Sequence, residues 1–118
     1  MGAALSLHAP DGFAAFVATL PGTSLVEQWE SRVAKVGGKV FGLVGATGGA
    51  VAFKVSDTSF AGLVEVPGIA QAPYFAKGQW VSVAPGALDE GDLAAYLREA
   101  HRLIAAKLTK KLRAELGL

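Results

Sequence analysis

The cations of this chain are the residues with the clearest chemical use. Lys35, Lys39, Lys54 and Lys77 sit singly among apolar and small residues, and Lys107, Lys110, Lys111 and Arg113 lie close to the C-terminal end. Such cations could neutralise phosphates, and Trp80 and Tyr74 could stack on bases. From Arg98 onward there are six basic residues and two acids, a net of +4, whereas the rest holds five basic and eight acidic residues, a net of −3. Two structural uses compete with phosphate binding. Lysine on a strand guards an edge against stray pairing, and cations near a helix C-terminus are favoured by ~0.3–1 kcal/mol each. Aromatics such as Trp80 and Tyr74 also serve to pack a loop against a sheet.

The glycine-rich run VGATGGA, Val44 to Ala50, is a second candidate. After an apolar strand it could cradle a dinucleotide phosphate. That use needs a third glycine where Val51 stands, and it needs the loop to open a helix whose N-terminus meets the pyrophosphate. The run leads instead into Ala50-Val51-Ala52-Phe53-Lys54-Val55, which alternates as a strand does. A hairpin turn fits better, and no nucleotide cofactor is expected.

Catalytic groupings are lacking. His8 and His101 form no i, i+4 pair and no H-E-x-x-H run exists, so no zinc site is expected. His101 reads as a side chain at the boundary of the last helix rather than a general base. Asp89, Glu90 and Asp92 read as helix-start residues rather than metal ligands. No serine lies in a nucleophile elbow. The chain reads as a non-enzyme with no cofactor.

The elements that must position these side chains emerge from periodicity. Phe13, Phe16, Val17 and Leu20 mark one helix face, with Pro10 near its start and Pro21-Gly22 at its end. From Val33 to Val55 the period shortens to that of strands. Gly37-Gly38 reads as a two-residue hairpin and Gly45 to Gly49 as the next turn. Asp57 is expected to cap a short helix with Phe60, Leu63 and Val64 inward. Ile69 to Gly78 reads as a loop, and Gln79 to Val83 as a further strand. Asp89 opens a long helix with the stripe Leu93, Tyr96, Leu97, Ala100, Leu103, Ile104, Leu108. Thr109 caps a further short turn, or the helix continues.

Composition bounds the whole. A length of 118 residues with 52% apolar content predicts one domain over residues 1–118 with its own core. The absence of cysteine excludes disulfides and thiolate chemistry and fits a cytoplasmic location. The first residues, MGAALSLHAPDG, lack the features of a signal peptide, and no apolar stretch reaches the ~18 residues of a membrane span. A formal charge of +1 gives no whole-molecule field toward nucleic acid.

The ordered segments Leu20-Pro21-Gly22, Val36-Gly37-Gly38-Lys39-Val40-Phe41, Phe53-Lys54-Val55, Ala72-Pro73-Tyr74, Lys77 with Trp80-Val81, and Ala106-Lys107-Leu108 resemble the MmcQ/YjbR-like family. The resemblance covers about residues 11 to 113. It implies an α+β domain in which an antiparallel sheet of hairpins packs against an N-terminal helix and a long C-terminal helix. This two-layer arrangement is similar to the frataxin fold. The family carries a DNA-binding label tied to hairpins described as a double wing. Relatives often have Asn-Lys-x-His-Trp where this chain has Ala76-Lys77-Gly78-Gln79-Trp80, and Ser-Tyr where it has Ala100-His101.

The resulting expectation is a monomeric DNA-binding protein of low sequence specificity. Its contacts would come from Lys35, Lys39, Lys54, Lys77, Trp80, Lys107, Lys110, Lys111 and Arg113. A protein-interaction module using the sheet or the Trp80 loop is one alternative, with the partner unknown. A small-ligand binder, in the gap between the Tyr74 loop and the last helix, is the other.

Overall fold

Pro10 opens the first helix, α1 (Pro10–Val17), where a missing N–H leaves no bond unmade. Phe13 and Val17 are buried and Phe16 packs on them, as the helical spacing requires. The computed structural model describes residues 6–118. After α1 come β1 (Thr23–Gln28), β2 (Ser31–Val36), β3 (Lys39–Gly45), β4 (Val51–Lys54), α2 (Asp57–Leu63), β5 (Ile69–Gln71), β6 (Trp80–Val83), α3 (Glu90–Ala105) and α4 (Lys110–Glu115). The six strands form one antiparallel sheet in the order β1-β2-β3-β4-β6-β5. The fold is α+β, with N-terminal and C-terminal helices on the sheet as the sequence predicts.

Register sorts the strand side chains into two faces. Leu25, Ala34, Gly42, Phe53 and Val81 pair across five strands and face the helices. The decisive contact is at Gly42, where an added Cβ would stand 3.3 Å from Leu97 Cδ2 of α3. Glycine here lets the helix lie close to the sheet. Leu93, Leu97, Ala100 and Ile104 of α3 are buried against this face, and Tyr96 stacks on Phe53 with ring centroids 6.1 Å apart. The helix α1 lies on the same face, tied by the Asp11–Arg32 ion pair at 3.0 Å. The adjacent row, Val26, Val33, Leu43, Ala52, Ser82 and Ala70, runs across all six strands on the opposite face.

A bulge interrupts β3. Ala34 pairs with Gly42 and Lys35 with Val40, so Phe41 is the extra residue. It turns inward, fully buried, with its ring edge-on to His101 at 5.4 Å. Three local expectations need correction. The strand β1 occupies the stretch after Pro21-Gly22 where no element was expected, and β5 lies inside the expected Ile69–Gly78 loop. The cap of α2 is Ser56, whose hydroxyl accepts from Ser59 N–H at 3.1 Å; Asp57 is its first helical residue. At α3 the expected cap holds, with Asp89 accepting from Asp92 N–H at 2.7 Å. Among the described residues, no helix is long and apolar enough to cross a membrane.

Candidate nucleic-acid interface and the open sheet face

Gly37 and Gly38 sit at φ of 57° and 82°, the left-handed backbone that a two-residue hairpin needs. Lys39 comes next, exposed. A Cβ on Gly37 would lie 2.6 Å from Leu108 Cδ1, so the hairpin and the chain leaving α3 are in close contact. Lys107, beside Leu108, is exposed. Thr109 then caps α4 by accepting from Leu112 N–H at 3.1 Å. Lys110 and Lys111 open α4 and are exposed, and Arg113 is half-buried with its Nε buried and without a hydrogen-bond partner. Leu116 closes over Gly22, whose carbonyl accepts from Gly37 N–H at 3.3 Å. The β2–β3 hairpin, the Pro21-Gly22 turn and the α3–α4 segment therefore meet at one end of the molecule.

Of the residues expected to bind nucleic acid, this end gathers Lys39, Lys107, Lys110, Lys111 and Arg113. Lys35 is half-exposed one strand pair from the hairpin. It alternates with buried Ala34 and Val36, so its side chain lies on the open face. Lys77 is exposed in the β5–β6 loop. Lys54 and Trp80 are each only 8% exposed, which takes them out of direct reach of a phosphate or a base. Lys54 Nζ donates to Gln79 Oε1 at 2.9 Å and to the Val55 carbonyl at 3.3 Å. Burial lowers its pKa from the ordinary 10.5, repulsion from Lys107 adds to this, and Asp57 opposes it. Trp80 is covered by Phe75, their rings stacked 4.2 Å apart. The salt bridges among the described residues are Arg32–Asp11, Arg32–Glu27 and Arg102–Glu99, so no lysine is neutralised by an acid there.

The open face holds a feature that the sequence reading missed. Trp29 and Glu30 connect β1 to β2 as a two-residue turn with φ of 55° and 56°. This is the geometry normally given to Asn-Gly. Trp29 is 62% exposed, and Tyr74, at φ 69°, is fully exposed. A bulky residue held in the left-handed region costs on the order of 1–3 kcal/mol. Between them lies a hollow of 610 Å³ floored by the sheet, with Phe75 on its wall and Leu43, Ala52 and Ser82 on its floor. This hollow is not the gap expected between the Tyr74 loop and the last helix. The Tyr74 loop does border a hollow, but Leu43 and Ala52 alternate with Gly42 and Phe53, so it opens on the face away from α3. The sequence signal was an aromatic at the tip between two strand-like runs, obscured because neither turn residue is glycine or asparagine.

Both histidines have structural partners. His8 Nδ1–H donates to the Gly49 carbonyl at 2.7 Å, and His101 Nε2–H donates to the Pro21 carbonyl at 2.8 Å. The glycine-rich turn VGATGGA is clasped by His8 and leads into β4, as the hairpin reading requires. No group of three or more His, Asp or Glu that could hold a metal occurs among the described residues.

The YjbR family model matches residues 18–103. The chain belongs to the YjbR family. The YjbR match spans the sheet and most of α3, including the Lys39 hairpin and both aromatic tips. Two solved structures share the fold. A Deinococcus radiodurans protein carrying a DUF419 domain superposes with a TM-score of 0.85 at 23% identity, over 98% of this chain and 93% of its own. A protein from Pseudomonas syringae gives 0.66 at 18% identity, over 79% and 96%. No curated protein matches this YjbR chain.

Proposed function

We propose that this YjbR protein binds DNA weakly and with little sequence preference, through phosphate contacts at its basic end. The observation that carries this reading is the seating of Leu108 against Gly37, which sets the Lys39 hairpin beside the Lys107–Lys110–Lys111 segment. These four lysines are exposed and free of ion pairs among the described residues, as a phosphate-binding surface requires. The Lys39 hairpin serves as one wing. The protein acts as a binding module in the cytoplasm, as a monomer without cofactor, and not as an enzyme.

Four neutralised phosphates give a slope of about −3.6 in log affinity against log salt, with dissociation constants of ~10⁻⁴–10⁻⁶ M at physiological salt. Fluorescence anisotropy with a labelled duplex measures both. Lys110→Glu with Lys111→Glu is expected to abolish binding without unfolding the protein, because α4 buries no residue. Lys39→Glu alone is expected to flatten the slope by about one. A basic tail that clings to any polyanion would respond to the first change and not to the second, and that result would end the assignment.

A further inference from the structure

We infer that the hollow on the open sheet face is a site for an uncharged planar heterocycle of nucleobase type. Its 610 Å³ falls within the range of about 300–1,000 Å³ typical of small-molecule sites. None of the residues lining it carries a charge, so a charged group entering would lose water without gaining a counter-ion. The floor is kept low by small residues, Gly45, Ala50, Ala52 and Ser82, which leaves a flat ring room to lie between the walls. The walls are themselves rings. Trp29 and Tyr74 stand in water on left-handed backbone, and a planar ligand gives each a stacking partner.

The edge of such a ring also finds partners. Ser82 Oγ makes no hydrogen bond within the described residues, and Ser31 Oγ makes one long bond, to the Trp29 carbonyl at 3.3 Å. Both hydroxyls line the hollow and can donate to or accept from ring nitrogens and exocyclic groups. The heterocycle can come from two sources. It is a free nucleoside, or it is an unpaired base of a strand whose phosphates stay outside, where Lys77 is exposed three residues after Tyr74. The inference does not rest on the basic end, since Lys39, Lys107, Lys110 and Lys111 do not line the hollow.

Trp29 emission reports on the site. A Trp80→Phe background keeps a ring against Phe75 and leaves Trp29 as the single tryptophan. Adenosine, cytidine, a single-stranded oligonucleotide and a duplex are titrated in turn. Saturable quenching by a nucleoside assigns the site to a free heterocycle; quenching by the single strand alone assigns it to an unpaired base. Tyr74→Gly is expected to weaken either by tenfold or more while unfolding occurs at the same or higher denaturant, because glycine suits the backbone there. Ala52→Phe, filling the floor, is expected to remove binding. The inference falls if neither nucleosides nor single strand quench saturably, or if both variants bind as the parent does. Duplex binding that survives those failures keeps the basic end and removes this site. The reverse pattern, saturable quenching in a parent protein that does not bind duplex, keeps this site and removes the other.

Discussion

Lys54 carries its charge on a residue only 8% exposed, close enough to Lys107 to feel its repulsion. Its folded pKa lies below the ordinary 10.5, so between the two values the unfolded chain binds more protons than the folded one. Stability therefore rises with pH through that alkaline window, and the penalty is complete below it. Lys54→Met is expected to flatten the alkaline rise and to stabilise the protein at neutral pH, measured by urea midpoints across a pH series. Gly37 and Gly38 separate two costs that the sequence presents as one. Gly38→Ala meets no atom within 4 Å and loses only through its φ of 82°, about 1 kcal/mol. Gly37→Ala adds a clash with Leu108 at 2.6 Å, so it is expected to lose about 2 kcal/mol or more, and the order of the two denaturation midpoints checks this. The positive φ of both glycines was legible in the sequence because it is a local demand. The burial of Lys54 was not, because alternation along one strand does not reveal that Trp80 and Gln79 flank it from another.

At the scale of elements, α3 was the most legible. Its cap and stripe are both written in consecutive residues, and Leu97 packs where Gly42 has no side chain. Leu97→Ala is expected to cost ~2–5 kcal/mol in chemical denaturation. Asp89→Ala, which leaves Asp92 N–H without its acceptor, is expected to cost ~1 kcal/mol. The strand β1 escaped detection for physical reasons. It is an edge strand with no fully buried residue, so its alternation is shallow, and its turn is Trp29-Glu30 rather than a glycine pair. The strand β5 spans three residues, fewer than any periodicity can register. Both missed strands lead into the loops that carry the exposed aromatics. That is why the hollow between Trp29 and Tyr74 could not be read from the chain, whereas the basic end could be read as a list of cations but not as a place.

Taken whole, the sheet has one face closed by helices and one left open, with the basic end where hairpin and α4 meet. Its two tryptophans sample different environments, Trp29 in solvent and Trp80 under Phe75. If residues 6–118 unfold as one unit, Trp80 emission in a Trp29→Phe variant and far-ultraviolet circular dichroism will give coincident urea transitions. Separate midpoints would mean that the Tyr74–Trp80 region opens independently of the sheet. The long-range bonds of Glu90 bear on time rather than on stability alone. Glu90, in the first turn of α3, accepts from Leu7 N–H at 2.7 Å and from Ser6 Oγ at 3.0 Å. Ser6 is 84 positions away in the chain, whereas β1 to β4 join neighbour to neighbour. Local pairings of that kind form early in folding, and a closure over so long a loop forms late. Glu90→Gln should accordingly leave the refolding rate almost unchanged and speed unfolding, so that the N-terminal segment acts as the last latch to close and the first to release.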